Sequence, residues 1–196
     1  MDASQIHGTL EFLRAAERLK GAHRSAYLSS GEQESVAEHT WRLCLLAMLV
    51  APAFPEVRVE RLLRICIIHD LGEAISGDIP APEQARLAQR GQTKAGQERR
   101  DLLELAEPLA PAQREELVAL WDEYEAGSTP EAKLAKALDK LETILQHNQG
   151  ANPPDFDYAF NLEYARAATT GEPLVERIRA ILDDETKARA AGARGS

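Results

Sequence analysis

Two adjacent residues, His69 and Asp70, have side chains suited to metal or acid–base chemistry. They end an apolar run that begins at Ile65; Glu73 follows one helical turn later, and a Gly-Asp-Ile-Pro sequence containing Asp78 closes the segment. Polar groups of this kind in a buried helix cost several kcal/mol unless something satisfies them, and a divalent metal does so by accepting an imidazole lone pair and neutralising a carboxylate. The alternative for the dipeptide alone is a hydrogen-bonded core histidine beside an acid that ends a helix.

Two predicted helices would bring a second histidine to this pair. Ser35 and Glu38 match a capping box, which predicts a helix that begins just ahead of His39. This helix is apolar nearly all round, which is typical of a central buried helix. A second buried helix is predicted over residues 57–71 and carries His69 near its end. Because antiparallel neighbours place the start of one helix beside the end of the next, the two histidines could meet.

A third helix carries another candidate, Asp139. Thr129 is a predicted N-cap and Pro130 the first helical residue of a helix that runs to about Asn148. Its buried stripe is predicted to consist of Leu134, Leu138, Leu141 and Leu145. Asp139 lies beside this stripe, where an acidic residue is usually solvated.

The remainder of the chain predicts an all-α protein. Further helices are expected over residues 4–20, 97–109, 111–126, 156–168 and 173–190. Residues 22–34 are expected to form a loop over another element, and residues 81–96 a helix followed by a mobile loop, which is a candidate lid. The sequence shows no internal repeat and no convincing strand. The length of 196 residues predicts one domain over residues 1–190, followed by a disordered tail over residues 191–196.

Composition limits the classes of partner. The net charge of −9 argues against a nucleic-acid polymer or a membrane surface as the partner, because both require a basic footprint. The longest apolar stretch near the front, residues 43–54, is too short to span a bilayer and contains Pro52. Cys44 and Cys66 lie inside apolar runs and are interpreted as free thiols, although a disulfide stays open. We therefore expect a cytoplasmic protein.

His39, then His69-Asp70, then Asp139, each on its own predicted helix, resemble the H…HD…D signature of the HD-domain metal-dependent phosphohydrolases, and most closely the 5′-deoxynucleotidase subfamily. The resemblance covers roughly residues 12–147. It rests on the order and spacing of five segments: ESVAEH at 34–39, IHDLGE at 68–73, GDIP at 77–80, LWDEYE at 120–125 and ALDKLE at 137–142. The resemblance implies a helical bundle with a metal site at its centre.

The resemblance also implies roles for single residues. Four residues would be the metal ligands: His39, His69, Asp70 and Asp139. Glu73 would act as the general acid or base at the scissile P–O bond. Asp78 matches a family position that contacts the nucleotide. Arg24 falls where the family places a phosphate-binding arginine, which would clamp non-bridging oxygens; the alternatives are a surface arginine for Arg24 and a solvated acid for Glu73.

The ligand types limit the choice of metal. Neutral imidazoles and carboxylates suit Mn²⁺, Co²⁺, Fe²⁺, Ni²⁺ or Zn²⁺ and, less well, Mg²⁺. Four protein ligands leave room in a six-coordinate sphere for water and a phosphate oxygen, so that the ion orients the ester and lowers the pKa of the attacking water. We expect one divalent ion per site.

The expected reaction is release of phosphate from a nucleoside 5′-monophosphate, first of all a 5′-deoxynucleotide. The family often has a tryptophan close after the arginine, whereas this chain has Tyr27, so discrimination against ribonucleotides does not carry over. The resemblance also implies a homodimer.

Three alternatives stay open. The substrate could be a nucleoside di- or triphosphate or a signalling nucleotide, although these would call for more basic residues than the front loop supplies. A di-iron oxygenase would need further histidines, and only His7, His23 and His147 remain. A non-catalytic metal- or nucleotide-binding protein would have no need of Glu73.

Overall fold

Helices dominate the part of the chain that the computed structural model describes, residues 1–78 and 93–193. The helices are α1 (Ala3–Ala16), α2 (Val36–Val50), α3 (Val59–Ile68), α4 (Glu73–Ser76), α5 (Lys94–Leu105), α6 (Pro111–Ala126), α7 (Pro130–Gln149), α8 (Phe160–Glu163) and α9 (Pro173–Ala193). The strands are β1 (His23–Tyr27) and β2 (Gln33–Ser35), and 3-10 turns cover Glu17–Lys20, Ala51–Ala53 and Arg166–Thr169. The predicted all-α class is confirmed.

Local capping fixes the starts of two helices that carry candidate residues, α2 and α7. The backbone N–H of Glu38 donates to Ser35 Oγ (3.2 Å) and that of Ser35 donates to the Glu38 carboxylate (2.8 Å), so the predicted capping box at α2 is confirmed. Thr129 caps α7 by accepting from the N–H of Ala132 (3.1 Å). These caps satisfy amides that would otherwise lack partners at a helix start.

Helix α7 is the centre of the core and packs against α2, α3, α6 and α9. Leu138, Leu141 and Ile144 of this helix are fully buried, while Leu145 is only half-buried. The same helix also buries polar side chains, among them Asp139 and Glu142. Buried carboxylates need partners, so the site must be assembled around α7.

The segment predicted as a loop over residues 22–34 is a β-hairpin. His23 pairs with Ser35 and Tyr27 with Gln33 in an antiparallel arrangement. The prediction of no strand is wrong here because the two strands are short and mostly polar, so no apolar alternation marks them. The hairpin does lie over another element, since the Gln146 side chain of α7 donates to the backbone carbonyl of Tyr27.

Two helix predictions also need correction. The run over residues 156–168 contains only α8 and one 3-10 turn, because Ala165 adopts a left-handed conformation at φ 54° between them. Helix α2 buries only one face: Trp41 is 64% exposed and Leu49 81% exposed. Apolar residues nearly all round this helix predict that every face is buried. The face of Trp41 and Leu49, however, has no partner within the described residues.

The remaining predictions concern the chain ends and the stretches that the structure does not describe. The predicted lid falls mostly on residues 79–92, outside the described residues, and α5 already begins at Lys94. The tail predicted as disordered begins inside α9, and residues 194–196 lie outside the described range. Among the described helices, none has both the length and the apolar character needed to cross a bilayer.

Candidate active site

His39 and His69 come together at the contact between α2 and α3, as predicted. Their ring centroids are 5.6 Å apart. Nδ1 of His39 is hydrogen-bonded to the carboxylate of Glu142, and Nδ1 of His69 is 2.8 Å from the backbone carbonyl of Cys66. Because each Nδ1 faces an acceptor, the neutral form of each ring places its proton there and turns its Nε2 lone pair towards the centre of the site.

The two Nε2 atoms face the carboxylates of Asp70 and Asp139. Nε2 of His39 lies 3.2 Å from Oδ1 of Asp139, and Nε2 of His69 lies 3.0 Å from Oδ2 of Asp70. Both Nε2 atoms are buried and lack a hydrogen bond of acceptable geometry to any described residue. Buried nitrogen atoms without a partner beside two carboxylates fit a divalent cation, which would accept the lone pairs and neutralise the acids.

The two carboxylate oxygens of Asp139 have different surroundings. Its Oδ2 accepts a hydrogen bond from the Tyr124 hydroxyl (2.8 Å) and lies 2.7 Å from Nζ of Lys140, so its Oδ1 is the atom turned towards the histidines. Burial alone would raise the pKa of Asp139, but the Lys140 ammonium and the histidines hold this pKa well below its usual range. Asp139 is therefore an anion that presents one oxygen.

Arg24 reaches the site from β1. Its guanidinium donates to Thr143 Oγ1 (2.9 Å) and lies 3.7 Å from Oδ2 of Asp70 and 3.4 Å from Oε2 of Glu34. The pKa of Asp70 is lowered because the attraction of His69 outweighs the effect of burial. The predicted arginine thus stands beside a predicted metal-site acid, held there by the hairpin that the sequence did not reveal.

Glu73 follows Asp70 by three residues and is only 3% exposed. Burial, followed by the nearby negative charge of Asp70, raises the pKa of Glu73 to about 9, against the opposing effect of Lys94. Nζ of Lys94 lies 3.5 Å from Glu73 and 3.8 Å from Asp78. Lys94 therefore bridges Glu73 and Asp78 on this side of the site.

One cavity of about 520 Å³ collects these groups. Its lining includes Arg24, His69, Asp70, Glu73, Asp78 and Asp139. His39 is fully buried behind them. His147 also lines the cavity, but its Nδ1 is 2.9 Å from the side-chain oxygen of Asn161. His39, His69 and Asp139 form one group of described residues whose atoms are close enough to hold a metal, and Asp70 adjoins this group at Nε2 of His69.

Four polar residues of the site were missed as functional candidates: Tyr124, Glu142, Lys94 and Lys140. The sequence places Tyr124 on the apolar side of its helix and in one of the five segments that carry the resemblance, with no role of its own. Glu142 stands three residues after Asp139, which places it on the same helical side and could have suggested a role. The two lysines follow no pattern that separates them from solvated helix residues.

Comparison with known proteins agrees with this arrangement. The sequence model described as "HD domain" matches residues 16–179 of this chain. The chain belongs to the HD domain family. This match includes the two histidines and all the acids of the site.

Several relatives of this HD domain protein are named 5′-deoxynucleotidases. One from Schizosaccharomyces pombe is 36% identical, over 74% of this chain and 74% of its own length. The human relative is 34% identical, over 71% of this chain and 67% of its own length. A crystal structure titled as a predicted metal-dependent phosphohydrolase from Magnetospirillum magnetotacticum superposes with a TM-score of 0.77 at 28% identity, covering 95% of this chain and 97% of that one.

Proposed function

We propose that this HD domain protein is a divalent-metal-dependent phosphohydrolase that releases phosphate from nucleoside 5′-monophosphates, first of all 5′-deoxynucleotides. The observation that carries the proposal is the convergence of two buried imidazole nitrogens on the carboxylates of Asp70 and Asp139, where neither nitrogen has a hydrogen-bond partner among the described residues. The names of its relatives support the substrate class.

The proposed metal ligands are His39, His69, Asp70 and Asp139. This mixed nitrogen and oxygen set suits Mn²⁺, Co²⁺, Fe²⁺, Ni²⁺ or Zn²⁺ better than Mg²⁺, and we propose one ion per site. When bound, the ion supplies Lewis acidity towards a phosphate oxygen and a water of lowered pKa.

The other side chains supply positioning and proton transfer. Arg24 has a guanidinium at the edge of the ligand set, where it would orient the non-bridging oxygens of the phosphate. Glu73, with its pKa raised to about 9, keeps its proton near neutral pH and would donate it to the leaving 5′ oxygen as a general acid. A bound cation would lower this pKa and bring the carboxyl closer to the range in which it transfers protons readily. Asp78 would contact the nucleotide from the same wall of the cavity.

The charges of the cavity favour a monophosphate over a triphosphate. The lysines that line it are each paired with an acid: Lys94 lies 2.9 Å from Glu98, Lys136 3.4 Å from Glu125 and Lys140 2.7 Å from Asp139. Their charges are largely neutralised, and Arg24 itself faces Glu34 and Asp70, so a bound metal ion would be the main attraction for the substrate. This balance suits one phosphate group.

The test is phosphate release from a panel of deoxy- and ribonucleoside 5′-monophosphates by chelator-stripped protein supplied with Mn²⁺, Co²⁺ or Mg²⁺. The matched pair of variants is Asp139→Asn, which alters a ligand, and Asp122→Asn, which alters a half-exposed acid paired with Arg99. We expect metal-dependent release by the wild type and Asp122→Asn and its loss in Asp139→Asn. Stoichiometric metal binding without release from any nucleotide would overturn the proposal.

We also propose a cytoplasmic homodimer. The exposed apolar face of α2 (Trp41, Leu45, Met48 and Leu49) is a surface that a second copy would cover, and the free thiols Cys44 and Cys66 agree with a reducing compartment. Light scattering should give a dimer mass for the wild type and for Ile181→Glu, an exposed site on α9, but a monomer mass for Leu49→Glu. A monomeric wild type would contradict the dimer, and recovery in a membrane or secreted fraction would contradict the location.

A further inference from the structure

Two aromatic rings stand at the wall of the active-site cavity without a role in the chemistry described so far. Phe160 begins α8 and is 57% exposed, although it is a large apolar side chain. Its ring centroid is 5.4 Å from that of Tyr164, with an angle of 35° between the planes. Both residues line the same cavity as Glu73 and Asp139. Tyr164 is half-buried, so the pair offers one exposed ring on a fixed neighbour beside the polar groups of the cavity, which indicates a ligand with a flat apolar face.

We propose that Phe160 and Tyr164 form a stacking platform for the base of the nucleotide. This inference rests on the proposed function, since it assigns a subsite to the substrate of the same cavity. A purine or pyrimidine ring offers a π-face that stacks on aromatic side chains whatever the base. The platform would therefore bind any nucleobase and discriminate little between bases.

The platform lies within reach of the metal site. Nζ of Lys140 is 2.7 Å from Oδ2 of Asp139 and 5.9 Å from the centroid of the Tyr164 ring. One ammonium group thus lies close to both a proposed metal ligand and the platform. In a 5′-nucleotide the sugar separates the phosphate from the base, so a phosphate at Asp139 leaves the base on the side of Tyr164.

A buried arginine holds the backbone of the platform in place. Arg179 of α9 is 3% exposed and donates to the carbonyls of Asn161 (2.6 Å), Leu162 (3.0 Å) and Tyr164 (2.7 Å). Its Nε also donates to Asp183 (2.6 Å). Because a buried guanidinium fixes three carbonyls around the two rings, the aromatic pair is preorganised for a ligand.

The experiment compares a substrate that has a base with one that lacks it: deoxyadenosine 5′-monophosphate and 2-deoxyribose 5-phosphate. Binding of both is measured by calorimetry on metal-loaded protein carrying Glu73→Gln, which is expected to prevent turnover. We expect Phe160→Ala to weaken binding of the nucleotide about tenfold, the scale of one lost stacking contact, and to leave the sugar phosphate unchanged. Phe160→Tyr, which keeps a ring, should restore nucleotide binding.

The outcomes separate this inference from the proposed function. An equal loss for both ligands, or no loss for either, would overturn the platform, because neither result depends on the base. Wild-type protein that hydrolyses no nucleotide would overturn the proposed function, whereas the ratio of the two affinities would still report on the platform. The same ratio measured with deoxycytidine 5′-monophosphate should fall by a similar factor.

Discussion

Glu142 accepts a hydrogen bond from Nδ1 of His39 at a point where both side chains are fully buried. Nε of Arg42 donates to the other carboxylate oxygen of Glu142 (2.6 Å), so the acid is held on both sides. In the metal-free protein, burial and the charge of Arg24 lower the pKa of His39, but the carboxylates of Asp139 and Glu142 beside its two ring nitrogens outweigh them and raise this pKa to about 9. Glu142 thereby fixes the tautomer, the orientation and the basicity of this imidazole.

We therefore expect Glu142→Gln to weaken metal binding by roughly 10- to 100-fold, the usual effect of removing a carboxylate that supports a ligating histidine. The measurement is a calorimetric titration of chelator-stripped protein with Mn²⁺ or Co²⁺. Glu115→Gln, at an exposed position of α6, is the matched control and should bind like the wild type. Equal affinities for the two variants would contradict a supporting role for Glu142.

Tyr124 and Lys140 hold the same oxygen of Asp139, so we expect their effects on metal affinity to be coupled. Tyr124→Phe removes one hydrogen bond, worth on the order of 1 kcal/mol, while Lys140 still restrains the carboxylate. Lys140→Met leaves the tyrosine in place. The double variant frees Oδ2 and should lose more affinity than the two single variants together. Strictly additive losses in this double-mutant cycle would show that Tyr124 and Lys140 act independently on Asp139.

The residues predicted from sequence are those whose roles follow from helix position. His39, His69 and Asp139 could be placed because a capping box, a helix end and an apolar stripe fix where each side chain lies. Their convergence follows from helix packing, which the apolar faces imply. Glu142 was not predicted because its burial depends on contact with a different helix, and an acid one turn along α7 looks solvated in the sequence.

Hydrophobic periodicity in the sequence predicts neither the hairpin nor the exposed face of α2. Strands of five and three residues give too few positions for an alternation to be recognised, so the support of Arg24 was not foreseen. Apolar residues all round α2 predict that both faces are covered, but they do not say by what. The face of Trp41 and Leu49 is covered by nothing in the described chain, which is why we propose that a second copy covers it.

The raised pKa of Glu73 predicts how the stability of the metal-free protein depends on pH. The unfolded chain loses this proton near the ordinary value of 4.5, whereas the native state keeps it up to about pH 9. Between these limits the native state binds more protons at this site, so the contribution of Glu73 to stability is fully present below the lower limit and is lost as pH rises to the upper one. For one proton the slope is at most about 1.4 kcal/mol per pH unit.

Thermal unfolding of Glu73→Gln beside the wild type isolates this contribution. The amide cannot ionise, so the Tm of the variant relative to the wild type should increase steadily as pH rises through this window. A bound divalent cation lowers the pKa of the carboxyl, so the same comparison on metal-loaded protein should show a weaker trend. A difference in Tm that stays constant across the window would show that Glu73 does not keep its proton in the fold.

Gly150, directly after α7, packs against the hairpin and allows it to lie close to the site. A Cβ built there would collide with the backbone carbonyl of Tyr27, the last residue of β1. Its φ of −64° and ψ of 153° suit any residue, so the cost of a side chain is purely steric. We expect Gly150→Ala to destabilise the protein by about 1–3 kcal/mol, which for this length lowers Tm by roughly 2–10 °C.

The same substitution should also weaken substrate binding, because β1 places Arg24 beside the carboxylate of Asp70. Displacing the strand should raise KM for the nucleotide more than it lowers metal affinity, since the histidines lie on other elements. Gly21→Ala, just before the hairpin, is the matched control: its φ is −111° and the nearest atom to an added Cβ is 3.8 Å away, so its Tm and KM should stay close to wild type. A Gly150→Ala protein with wild-type Tm and KM would show that the hairpin can shift without cost and that Arg24 is not held by this contact.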